Sequence, residues 1–158
     1  TFYPHRGAVV ATLSPEETRE IFQIRIFLET GALRLSIPRL TDKVLQDANR
    51  ILKIVEEEDD VDSWSELNWE FHAHLYQPAG YPRLLKLIEE LHANVNRYLR
   101  IYLSLMDFQA RSQAEHQELL TACANRDVSL AAHILEQHLQ AASNHLEQFL
   151  SSTEEEPC

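Results

Sequence analysis

Apolar residues recur every three or four positions in six separate runs along this chain, and helix-capping residues open most of those runs. That period is the 3.6-residue turn of an α-helix, not the two-residue alternation of a half-buried strand. The first run opens at "SPEE", where Ser14 can cap, Pro15 suits the first helical position and Glu17 completes a capping box. It extends to about Ile37, with Ile21, Leu28, Ala32 and Leu35 on one face. The second starts near Thr41 and turns Val44, Ala48, Ile51 and Val55 inward. The third is expected to start at "SWSE", with Ser63 and Glu66 as a second capping box, and to stop at "PAGYP". Gly80 reads there as a helix stop and Pro82 as the first turn of the next helix. The fourth covers roughly 82–106, with Leu84, Ile88, Leu91, Val95, Leu99 and Tyr102 as its stripe. The fifth covers about 109–125, and the sixth runs from the cap Asp127 to about Leu150. Short connections between them predict an all-α antiparallel bundle of about six helices.

The totals agree with one cytoplasmic domain. A chain of 158 residues can bury a sizeable core. Three glycines suit long helices, and two cysteines, Cys123 and Cys158, are too few for a disulfide framework. No apolar run approaches the ~18–20 residues of a membrane span, so no membrane partner is expected. Lys and Arg total 14 against 25 Asp and Glu, a net charge of −11. DNA, a polyanion, is repelled on average by such a surface. Residues 1–13 include "GAVV", which reads as a short strand cut from something larger, and residues 152–158 form an acidic tail. The helical domain is expected over 14–151.

Polar residues fall on the inward faces. In "LNWEFHAHLY", Asn68 and His72 are one turn apart and point where Trp64, Phe71 and Leu75 point. His116 falls in line with Leu119, Leu120 and Cys123, and His138 with Ala131, Leu135 and Ala142. Three helices therefore each offer an inward imidazole. A buried polar group left unpaired costs roughly 1–3 kcal/mol. Convergence on a divalent cation satisfies all of them together, since neutral imidazole is a common ligand for zinc and related ions. The plain alternative is that each is a core histidine bonded to a nearby oxygen. His145 shares a face with His138 and competes with it as a ligand.

Arg25 lies on the apolar stripe of the first helix, where a guanidinium is costly. Its ordinary partner is Glu29, one turn on; its functional reading is a clamp for a ligand carboxylate. Asn96, just off the stripe of the fourth helix, either joins that ligand or is a solvated flank residue.

These residues resemble a known family. "RGAVVATLSPEETREIFQIRIFLETGALRLS" is similar to the junction between winged helix and effector domain in GntR-type transcription regulators of the fatty-acid-responsive (FadR-like) subfamily. "LNWEFHAHLYQPAGYPRL" resembles the family's D-x-x-F-H…G-N-P-x-L segment, and "EHQELLTACANRD" its E-H-x-x-L-x-A segment. The resemblance covers roughly residues 6–150. It implies an FCD domain, a helical bundle around one ligand and metal cavity, with a divalent ion held by an aspartate and three histidines. Carried over, these are Asn68, His72, His116 and His138, the ion being zinc, nickel or another first-row metal. The resemblance further implies a small organic acid as effector, with Arg25 on its carboxylate, and a homodimer. DNA is then bound only through an N-terminal winged-helix domain, of which residues 1–13 would be the wing remnant and linker.

Two positions depart from the family pattern: Asn68 stands at the aspartate position, and Tyr81 where asparagine usually precedes the proline. An amide in place of a carboxylate removes one negative charge from the site. No nucleophile–base pair is identifiable, so a regulatory domain and not an enzyme is expected. The competing readings are a di-iron helical-bundle enzyme, for which only Glu89 and His92 match the Glu-x-x-His pair, and a metal-free helical interaction module.

Overall fold

The computed structural model describes residues 13–105 and 109–154, with backbone only at 102–105 and 154. Its elements are α1 (Pro15–Ser36), α2 (Asp42–Glu56), α3 (Val61–Tyr76), α4 (Pro82–Leu105), α5 (Gln109–Ala124) and α6 (Val128–Glu154). Single 3₁₀ turns at Ile37–Arg39 and Gln77–Ala79 extend α1 and α3. Among the described residues there is no strand, and no helix is long and apolar enough to cross a membrane. The expected strand at "GAVV" and the end of the acidic tail lie outside the described residues.

Local chemistry explains most helix ends. At α1 the capping box forms: Ser14 Oγ accepts from the Glu17 amide at 3.1 Å, and Glu17 Oε2 accepts from the Ser14 amide at 2.9 Å. Thr41 caps α2 through the Val44 amide. Gly80 ends the α3 extension at φ 75°, a left-handed conformation that suits glycine. Asp127 Oδ1 accepts from the Leu130 amide at 3.0 Å and opens α6.

The start of α3 differs from expectation. Asp60, not Ser63, is the N-cap, accepting from the Ser63 amide at 2.9 Å and from Ser63 Oγ at 2.8 Å. A carboxylate at the helix N-terminus satisfies an orphan amide and meets the positive end of the helix dipole, so it displaces the hydroxyl. The helix therefore begins at Val61, three residues before the Trp64 that a Ser63 cap would give.

The inward face of α1 is also rotated from the expected stripe. Phe22, Arg25, Ile26, Glu29, Leu33 and Ser36 are buried, while Leu35 is 45% exposed. The reason is tertiary: α1 packs against α3, α4 and α6 along that face, leaving Ile24, Phe27 and Leu35 exposed on the other. Around it, Leu52, Phe71, Leu75, Ile88, Val95, Leu119, Leu135 and Leu146 complete a continuous core. Arg126, between α5 and α6, donates to the Ile37 carbonyl at 2.8 Å and the Leu40 carbonyl at 2.6 Å, satisfying the backbone after α1.

Candidate metal centre and ligand cavity

The same core brings His72 of α3, His116 of α5 and His138 of α6 together. His72 Nε2 lies 3.0 Å from His116 Nε2, which lies 3.3 Å from His138 Nε2. All three residues are buried. Neighbouring ligand atoms around one ion with ~2.0–2.1 Å bonds are separated by about 2.9–3.0 Å in octahedral and 3.3–3.4 Å in tetrahedral geometry. These two separations fit a first-row cation and do not choose between metals, and the three ligand atoms all lie within 4.8 Å of one another. Among the described residues this trio is the cluster of metal-ligating type, and His145 is not part of it.

The outer nitrogens of His138 and His72 are held by hydrogen-bonding groups, whereas His116 Nδ1 is buried without a partner. His138 Nδ1 donates to Glu115 Oε2 at 2.6 Å, which leaves its Nε2 lone pair facing the trio. Tyr76 donates its hydroxyl proton to Glu29 Oε2 at 2.6 Å, so its oxygen can accept from His72 Nδ1 at 3.3 Å. His72 Nε2 is then also an acceptor. His116 Nε2 faces both, and a single N–H there can serve only one of them. A cation satisfies all three, so the residues fit the group. Burial, then His116 and His138, hold the His72 imidazole well below its ordinary range; burial, then His138, does the same for His116. Both are therefore neutral, as ligation requires.

A cavity of about 40 Å³ adjoins the trio, lined by Arg25, Asn68, His72, His92, Asn96 and His138 among others. It exceeds the ~10–15 Å³ that one water needs. Asn68 is half-buried, and its Oδ1 is buried without a hydrogen-bond partner. Arg25 is 5% exposed and donates from Nε to Glu29 Oε1 at 2.7 Å, so its ordinary partner is present and the residue still lines the cavity. Asn96 Oδ1 accepts from Ser65 Oγ at 2.7 Å and is not a solvated flank residue. Glu89, needed by the di-iron reading, is exposed.

Sequence reasoning missed Glu115, Tyr76 and His92. Tyr76 carried a signal, because it follows His72 by one turn on the same stripe. Glu115 opens the E-H-x-x-L-x-A segment, but nothing local pointed it at His138, which it reaches across an interhelix contact 23 residues away in sequence.

A helical bundle that buries polar side chains around an internal cavity, with three clustered imidazoles beside it, has the build of an effector-binding regulatory domain. Residues 20–141 match the FCD domain family, and the chain belongs to it. The chain is 28% identical over 150 residues to the HTH-type transcriptional repressor GlaR of Escherichia coli (strain K12), covering 88% of this chain and 68% of GlaR. A crystal structure of a GntR-family transcriptional regulator from Pseudomonas syringae pv. tomato str. DC3000 superposes with a TM-score of 0.83 at 36% identity, over 96% of this chain. This chain spans only 64% of that regulator's length. A solved metal-free FCD domain superposes at a TM-score of 0.72 and 17% identity, with 99% of its length covered, and shares the fold. FCD domains of GntR-family regulators are regulatory and not catalytic.

Proposed function

We propose that this chain is the ligand-sensing and dimerisation part of a GntR-type transcription regulator. In this reading His72, His116 and His138, with Asn68, hold a divalent cation, zinc or another first-row metal, and a small organic acid binds beside it. The observation that carries the reading is the meeting of three imidazole nitrogens beside a cavity that His72, His138 and Arg25 line. Bound there, a divalent cation supplies Lewis acidity toward an oxygen of the acid. Arg25 contributes the matching charge from the α1 side, and Asn96 a hydrogen-bonding group from α4. Three imidazoles and an amide bring no negative charge, so an anionic ligand is favoured more strongly than beside a carboxylate.

The cavity is smaller than the ~300 Å³ and upward of ordinary ligand sites, so an acid of several carbons enters only when the packing changes. Occupancy is thereby coupled to the arrangement of α1, α3, α4 and α6, a population shift between two packings. The domain assignment follows: residues 14–151 sense the ligand, and α6 runs on to Glu154, past the expected start of the acidic tail at 152. DNA is contacted through a separate winged-helix domain, in the cytoplasm, by a homodimer.

Metal analysis of protein purified without chelator tests the reading. One first-row ion per chain is expected, lost in His72→Ala and in His138→Ala while helicity by circular dichroism persists. Full occupancy in either variant removes the ligand assignment. Small carboxylic acids should raise the melting temperature by mass action.

A further inference from the structure

His92 on α4 is 7% exposed, and neither of its ring nitrogens has a hydrogen-bond partner. Its ring stacks on Trp69 at 4.7 Å between centroids and 20° between planes. Packing alone does not require the nitrogens, because a phenyl ring stacks on an indole as well as an imidazole does. Two unsatisfied ring nitrogens in a buried position carry a cost that the fold does not offset. The residue lines the cavity shared by Arg25, His72 and His138, beside the Ser65–Asn96 pair.

We infer that His92 is a specificity-determining residue that hydrogen-bonds a second polar oxygen of the effector, distinct from the carboxylate taken by Arg25. The inference rests on the ligand-sensing reading above and narrows it. The ligand class becomes a short acid carrying a hydroxyl or a second carboxylate, and unsubstituted fatty acids are discriminated against. The physical basis is asymmetric: a site with a buried polar group rejects an analogue that leaves that group unpaired far more strongly than an apolar pocket rejects an extra methylene.

Calorimetric titration of the full chain, as purified and again after zinc loading, tests this with matched three- to six-carbon acids. Each set contains the unsubstituted, the hydroxylated and the dicarboxylic member. The parent protein should bind a hydroxylated or dicarboxylic member at least about tenfold more tightly than its unsubstituted counterpart. His92→Phe, which keeps the stack on Trp69, should bring that ratio close to one with the unsubstituted acid's affinity little changed. His92→Gln, which restores a donor and an acceptor, should recover part of the preference. Which substituted member wins separates hydroxyl from carboxylate recognition. Equal binding of all members by the parent protein overturns the role of His92 and leaves the sensing function standing, as does a preference that survives in a folded His92→Phe. Absence of binding by every acid overturns both.

Discussion

Glu115 of α5 accepts a 2.6 Å hydrogen bond from Nδ1 of His138 on α6, so the residue beside one histidine of the trio orients another. The carboxylate does two things at once. It fixes the tautomer that turns the Nε2 lone pair inward, and it raises the basicity of that nitrogen. Burial raises the Glu115 carboxyl, but the hydrogen bond and charge of His138, with Arg111, outweigh it and hold the group below the usual carboxylate range.

Glu115→Gln should therefore weaken metal binding by roughly 10–100-fold while keeping the fold. A competition titration against a chromophoric chelator measures this. Unchanged affinity would show that His138 needs no orienting partner.

Asn68→Asp should tighten metal binding, because a carboxylate adds charge where Oδ1 now lies buried without a partner. The same titration applies, and equal or weaker binding would place Asn68 outside the ligand set. Acid affinity should fall in parallel, since the site then demands less negative charge from the effector.

Tyr76→Phe removes the hydroxyl that joins Glu29 to His72. Loss of a hydrogen bond to a buried carboxylate should cost about 1–3 kcal/mol in denaturant unfolding. Metal affinity should also drop, because His72 Nδ1 loses its partner. A variant as stable as the parent would mean that the Arg25 ion pair alone satisfies Glu29.

Metal-free protein should lose stability on acidification below about pH 6.5, the ordinary histidine value in the unfolded chain. His72 and His116 both lie well below it in the fold, so the unfolded chain binds more protons in that window. Their contribution is complete above the unfolded value and declines as pH falls toward the folded one. Urea unfolding between pH 8 and 5 should show this decline, and His116→Leu should flatten it. A parent profile that is level across the range would contradict the buried neutral pair His72 and His116.

Arg25→Ala should abolish the rise in melting temperature caused by small acids without releasing the metal. It should also destabilise the fold by about 3–5 kcal/mol, since Glu29 is left as a buried charge without its partner. Arg25→Lys keeps the charge and should retain the stability better than the acid response, because a point charge does not reproduce a guanidinium fork. An undiminished acid response in Arg25→Ala clears the residue of ligand contact.

The helices were legible because caps and periodicity act within a few residues. Ser14–Glu17, Thr41, Gly80 and Asp127 each act at the helix end expected of them. Where two local signals overlapped, periodicity chose wrongly: Asp60 displaced Ser63 as a cap, and α1 turned Phe22, Ile26 and Leu33 inward while exposing Leu35. The first outcome is still local, a carboxylate outcompeting a hydroxyl three residues on, whereas the second depends on packing that neighbouring residues alone do not set. His92 was weighed only with Glu89 as a Glu-x-x-His pair, because nothing local shows which cavity a single histidine lines.

By its own pattern, the chain determined six helices, their approximate ends and the inward direction of His72, His116 and His138, because side-chain direction follows from helical period. Only the tertiary structure decided that the three ring nitrogens meet, that Glu115, Tyr76 and Glu29 support them, and that His92 shares their cavity. Those relations join atoms on different helices, and the distance between helices is settled by how a whole core packs, not by the order of residues along any one of them.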